Sequence, residues 1–289
     1  MTPHPGNDET AFGAGEHETV RRGRLPGGLT LRAMTPNAIT AAALCSGLTG
    51  IRFAVTAASG TDPVQVADDW RKAVLAVIIA GMLDGIDGRI ARLLKAQSRF
   101  GAELDSLADN VSFGVAPALI LFLWSLQEAP RIGWFAALAF AIACALRLAR
   151  FNARIDTEEQ PHKSAGFLTG VPAPVGAGLA FLPLYLWIAT GLEEFRQPLP
   201  VGLWLALIAF MMISNMATLS WTSLRPRRSV RLELILLVGL VIAALLTEPW
   251  WTLAGISVIY LLFVPYGLVR YARVRRLRAA QKLAGQNPG

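Results

Sequence analysis

The stretch Leu83–Asn110, LDGIDGRIARLLKAQSRFGAELDSLADN, decides how the rest of the chain is read. Apolar runs flank it on both sides, AVLAVIIAGM before it (73–82) and VSFGVAPALILFLW after it (111–124). Asp84, Asp87, Asp105 and Asp109 therefore fall inside or beside segments of membrane-spanning character. A carboxylate at mid-bilayer costs roughly 2.5 to 3.5 kcal/mol on insertion scales, so four of them call for a compensating function.

The wider composition agrees with a bilayer setting. The 289 residues are 54% hydrophobic and only 16% charged, with mean hydropathy +0.46, whereas a soluble domain carries about 25% charged residues. Net charge is +7. The basic residues lie between apolar segments rather than in one patch, which argues against a nucleic-acid partner and for a topology signal. Cys45 and Cys144 both sit in apolar segments and make neither a disulfide framework nor a metal site.

Apolar stretches of the length needed to cross the hydrocarbon core, about 17 to 25 residues, recur along the chain. Eight spans are expected, at about 36–58, 70–92, 105–127, 132–151, 170–191, 200–221, 230–247 and 251–271. The fold class is thus an all-α polytopic membrane bundle. Residues 1–30, rich in Gly, Pro and charge, are expected to be a disordered cytoplasmic tail; 31–271 form the membrane domain, and 272–289 a basic cytoplasmic tail. One set of connections carries Arg21, Arg22, Arg24 and Arg32, then Arg92, Lys95 and Arg99, then Arg150, Arg154 and Lys163, then Arg225, Arg227, Arg228 and Arg231, and a last group from Arg270 to Lys282. The alternate connections hold only Arg71, Lys72, Arg131 and Arg196. By the positive-inside bias both termini and the aspartate stretch face the cytoplasm.

Asp84 and Asp87 are three residues apart and Asp105 and Asp109 four apart, so each pair occupies one face of its helix. Two neighbouring helices that each present a carboxylate pair make an all-oxygen cage, suited to Mg²⁺ or Mn²⁺ rather than Zn²⁺. Small residues at Gly85, Gly88, Ala91, Gly101 and Ala102 leave room for a bulky anionic ligand or a close-packed helix, and Arg89 and Arg92 can meet phosphate oxygens. The implied substrate is a phosphate ester at the cytoplasmic membrane surface. The same acids also admit a buried ion-pair network with Arg89 and Arg92, or the ion site of a cation-coupled transporter.

The pattern D-x2-D-G-x2-A-R-x8-G-x3-D-x3-D, running from Asp84 to Asp109, resembles the signature of the CDP-alcohol phosphotransferases. That resemblance implies a six-helix core, a metal-dependent transfer of a substituted phosphoryl group from a CDP-linked donor to an alcohol, and release of CMP. It makes Asp84, Asp87, Asp105 and Asp109 metal ligands of a two-metal site, with Asp109 also the general base. Gly88, Ala91, Arg92 and Gly101 would line the CDP site, joined by Asn37 and Thr40 at the start of the first span. Three further runs, SLADNVSFGVAPA (106–118), LRLARFN (146–152) and FLTGVPAPVGAG (167–178), resemble the phosphatidylserine synthase branch. The branch implies CDP-diacylglycerol and L-serine as substrates, a bacterial inner membrane, and a homodimer. Arg147, Arg150, Asn152 and Lys163 are then candidates to bind the acceptor or a phosphate, with snorkelling anchors as the rival reading for the arginines. Glycerol 3-phosphate, inositol phosphate and choline stay open as acceptors. Asn110 departs from the apolar residue expected after the last aspartate, and His162, in a polar loop, reads as solvated.

Overall fold

Each apolar run becomes a helix because the spanning backbone must satisfy its own hydrogen bonds, and capping residues mark where several of them start. The computed structural model describes residues 31–94, 98–155, 167–214, 217–219 and 231–265. Among these, eight helices follow one another: α1 (Leu31–Ser59), α2 (Pro63–Leu93), α3 (Arg99–Trp124), α4 (Pro130–Ile155), α5 (Ala173–Thr190), α6 (Pro198–Ile213), α7 (Arg231–Thr247) and α8 (Pro249–Pro265). Asp62 caps α2, its side chain accepting from the Val64 amide with Pro63 next in line. Ser98 caps α3, its hydroxyl accepting from the Gly101 amide at 3.0 Å. Gly191, in the left-handed conformation at φ 71, ends α5.

The eight expected spans each correspond to one of these helices, and the chain is an all-α polytopic membrane bundle. Residues 34–59 of α1, together with α3, α4 and α5, are long and apolar enough to cross a bilayer by length and composition. The 31 residues of α2 exceed all of these, but Asp84 and Asp87 make its last turns polar. Two local departures stand out. Helix α1 starts at Leu31 and contains Pro36, rather than beginning near residue 36. Helix α6 stops at Ile213, where Ser214 turns extended at ψ 150, so the sixth span does not run to 221. Beyond it, β2 (Ala217–Leu219) pairs antiparallel with β1 (Phe167–Thr169), Phe167 opposite Leu219. The expected terminal tails, Lys163, His162 and the Arg225–Arg228 cluster lie outside the described residues.

Long-range hydrogen bonds show how the helices alternate. Thr40 near the start of α1 bonds Asp87 near the end of α2; Asn152 at the end of α4 bonds Ser106 early in α3; Arg150 bonds Ile213, the last residue of α6. At the other end of the bundle, the Ser125 hydroxyl just after α3 donates to the Arg196 carbonyl at 2.6 Å. Arg196 Nε in turn donates to the Trp124 carbonyl at 2.8 Å. The aspartate stretch thus shares one end with the start of α1 and the ends of α4 and α6.

Trp70 of α2, Trp124 of α3, Phe140 of α4 and Phe181 and Tyr185 of α5 are fully buried. Large apolar side chains face outward in number, for example Phe135, Leu203, Leu232, Leu236 and Leu246, which suits lipid and would be an aggregation hazard in water. Helix contacts are made by small residues, as expected where lipid removes the hydrophobic drive between helices. A Cβ at Gly47 would lie 2.7 Å from Ser112 Oγ of α3, whereas one at Gly178 would meet nothing within 4 Å. Gly47→Leu should therefore cost about 1 to 3 kcal/mol of stability, while Gly178→Leu stays within about 0.5 kcal/mol. Thermal unfolding of the two variants in detergent measures the difference.

Candidate active site

The last turns of α2 and the first turns of α3 meet at the polar end. One face of α2 carries Asp84 and Asp87, and one face of α3 carries Asp105 and Asp109. Carboxylate oxygens from Asp84, Asp105 and Asp109, all three residues half-buried, lie within 4.8 Å of one another, and the Asp84 and Asp109 carboxyl groups are in direct contact. The fourth acid stands slightly apart. Asp87 is only 4% exposed, and its Oδ2 accepts from the Thr40 hydroxyl at 2.7 Å.

The ion-pair alternative is not what the structure contains. Among the described residues the salt bridges are those of Lys72 with Asp68 and Asp69, far along α2 from the acids. Arg89 and Arg92 are exposed, and Arg92 Nε folds back on its own helix to donate to the Gly88 carbonyl at 3.0 Å. Crowded like charges at reduced dielectric repel strongly, and a donor set made only of carboxylates is the kind that a hard divalent cation takes up. The residues present therefore fit Mg²⁺ or Mn²⁺.

Helix α3 departs from α-helical geometry directly after Asp109. Asn110–Val115 form a π-helical turn, a widening that accommodates an extra residue and recurs at functional sites. Gly114 lets α4 approach this turn, since a Cβ there would lie 2.9 Å from Cys144 Cβ. Arg147, one turn further along α4, has its charge near Asp109, and its buried Nε has no hydrogen-bond partner among the described residues. It is the arginine that the fold brings to the acids.

The other expected site residues fall into two groups. Gly85 and Gly88 open onto empty space, with nothing within 4 Å of an added Cβ, and half-buried Ala91 follows one turn later. Gly101 instead faces a neighbouring helix: its added Cβ would lie 2.9 Å from Asn37 Oδ1, so this glycine accommodates the Asn37 carboxamide. Asn152 Nδ2 donates to Ser106 Oγ at 2.8 Å, tying α4 to α3 beside Asp105. Arg150 Nη1 donates to the Ile213 carbonyl at 2.7 Å and so closes the C-terminus of α6. Gly170 completes that junction. Its φ of +76 and a Cβ distance of 2.7 Å to the Met212 carbonyl leave no place for another residue. Sequence reasoning did not foresee the pairing of Ser106 with Asn152, of Thr40 with Asp87, or the π turn. The first two join residues 46 and 47 positions apart, for which no local pattern exists.

Comparison with known proteins agrees with this geometry. Residues 33–217 match the CDP-alcohol phosphatidyltransferase family, and 230–265, which span α7 and α8, match CDP-alcohol phosphatidyltransferase 2. The chain is 35% identical over 236 residues to a CDP-diacylglycerol–serine O-phosphatidyltransferase of Mycobacterium leprae, covering 81% of this chain and 74% of that protein. Similarity extends to proteins of the same name from Helicobacter pylori, at 35% over 196 residues and 68% and 77% coverage, and from Saccharomyces cerevisiae, at 45% over 107 residues and 35% and 37% coverage. With its signature acids gathered at one end of a membrane helical bundle, this chain belongs to the CDP-alcohol phosphatidyltransferase family.

Proposed function

We propose that the protein transfers the phosphatidyl group of CDP-diacylglycerol to L-serine, giving phosphatidylserine and CMP. The observation that carries this reading is the gathering of Asp84, Asp105 and Asp109 beside Arg147, with no neutralising ion pair among the described residues. The names of the relatives supply the serine. Two Mg²⁺ or Mn²⁺ ions held by Asp84, Asp87, Asp105 and Asp109 would supply the charge neutralisation that a pyrophosphate displacement needs.

The chain's own residues do the rest. Gly85, Gly88 and Ala91 form a low floor on α2 on which the CDP moiety lies, with Arg92 at its edge free to swing from the Gly88 carbonyl to a phosphate. Asp109 removes the proton of the serine hydroxyl as the oxygen attacks the diacylglycerol-side phosphorus. The bond to the CMP oxygen breaks in the same step, with inversion at phosphorus. Arg147 binds the serine carboxylate, a role supported by its buried Nε, which has no partner among the described residues. Arg150 and Asn152 act indirectly, by fixing α6 and α3 around the site. Lipid tails enter sideways from the bilayer, while the nucleotide and serine arrive from the cytoplasm. The setting is a bacterial inner membrane with both termini cytoplasmic, and the assembly is the homodimer that the resemblance implies.

Purified protein incubated with CDP-diacylglycerol, Mg²⁺ or Mn²⁺ and a panel of alcohols should release CMP with L-serine. CMP with glycerol 3-phosphate alone would overturn the acceptor. Ion flux into proteoliposomes without CMP from any alcohol would overturn the enzyme reading and favour transport. Asp109→Asn should retain CDP-diacylglycerol binding while turnover falls by about 10² to 10⁴, the usual contribution of a general base; turnover near the wild-type rate would remove Asp109 from that role. Arg147→Lys should raise the KM for serine by about 10- to 100-fold, the worth of a charged bidentate contact, and leave the KM for CDP-diacylglycerol unchanged. An unchanged serine KM would take Arg147 out of the acceptor site.

A further inference from the structure

We propose that Thr40 is a positioning residue for Asp87 and that it controls one of the two cation positions. The resemblance puts Thr40 on the nucleotide side of the site. Its observed contacts point elsewhere. Thr40 is 5% exposed and Asp87 4% exposed, and the hydroxyl lies 2.7 Å from Asp87 Oδ2. The same oxygen lies 3.1 Å from the Pro36 carbonyl one turn back. A hydroxyl has a single proton and an ionised carboxylate only accepts, so the shorter, charge-assisted contact takes that proton.

Two consequences follow from this contact. First, one lone pair of Asp87 Oδ2 is engaged by α1, which fixes the carboxylate rotation and so the direction in which its remaining lone pairs face a cation. Second, Asp87 is held out of the trio formed by Asp84, Asp105 and Asp109. An ion seated in the trio does not depend on Thr40, whereas an ion that needs Asp87 does. Partners that orient a ligating carboxylate are typically worth 10- to 100-fold in metal affinity. Helix α1 contributes no acid to the site, yet through this hydroxyl it would set the occupancy of the second position.

This inference rests on the two-metal reading, and nucleotide-free Mn²⁺ titration of the full-length protein separates the two. Free Mn²⁺ is followed by electron paramagnetic resonance, in wild type, Thr40→Val and Thr40→Ser. Valine keeps the shape and removes the proton; serine keeps the proton. Wild type should take up two ions. Thr40→Val should keep one at unchanged affinity and bind the other about 10- to 100-fold more weakly, and Thr40→Ser should restore the wild-type curve to within a few-fold. Two ions bound normally by Thr40→Val, with CDP binding weakened instead, would return Thr40 to the nucleotide and overturn the proposal. Equal weakening of both ions, or failure of serine to restore the second, would overturn it as well. A wild-type protein that takes up fewer than two ions would remove the two-metal reading, and this inference with it.

Discussion

Carboxylates crowded where two membrane helices meet are the constraint on which this structure turns. Asp84 touches Asp109, Asp105 lies within reach of both, and among the described residues no lysine or arginine forms a salt bridge with any of them. In a medium of low dielectric such a group stays ionised only with a compensating cation or with extensive hydrogen bonding. The surrounding helices read as a frame that holds the acids together despite their repulsion. Thr40 holds Asp87 from α1, Asn152 holds α3 from α4, and Arg150 closes the end of α6 beside Gly170.

The frame has a division of labour. At the polar end, hydrogen bonds join α1 to α2, α3 to α4 and α4 to α6. At the opposite end, Arg196 stacks on Trp187 and is bonded to Trp124 and Ser125, a knot of aromatic and polar groups that ties the end of α3 to α5 and to the connection between α5 and α6. Between the two ends the packing is apolar, with fully buried Phe140, Leu205 and Ile208. Helix α7 exposes a run of large apolar side chains, among them Leu232, Leu236, Leu240 and Leu246, as lipid contact requires. Chemistry is thus confined to one end of a bundle whose middle is inert.

Much of this could be read from residue types and spacing. Run length alone located the eight helices, because a bilayer demands about 20 apolar residues per crossing. The spacing of three and four within the acid pairs placed each pair on one helix face, and the small residues at Gly85 and Gly88 marked the open floor. What escaped was set by distant partners. Arg147 and Arg150 look equivalent in sequence, three apart on one helix. The fold sends the first to Asp109 and spends the second on the Ile213 carbonyl. The early end of α6 at Ser214 and the π turn after Asp109, beside which Gly114 meets Cys144, are likewise announced by no periodicity.

The central claim is that these aspartates exist to hold divalent cations. Anomalous X-ray diffraction from crystals grown with Mn²⁺ tests it most directly, because it locates the ion without recourse to activity. The account predicts anomalous density enclosed by Asp84, Asp105 and Asp109, with a second peak against Asp87. Density absent from that enclosure, with an arginine such as Arg89 or Arg92 folded in to neutralise the acids, would contradict it.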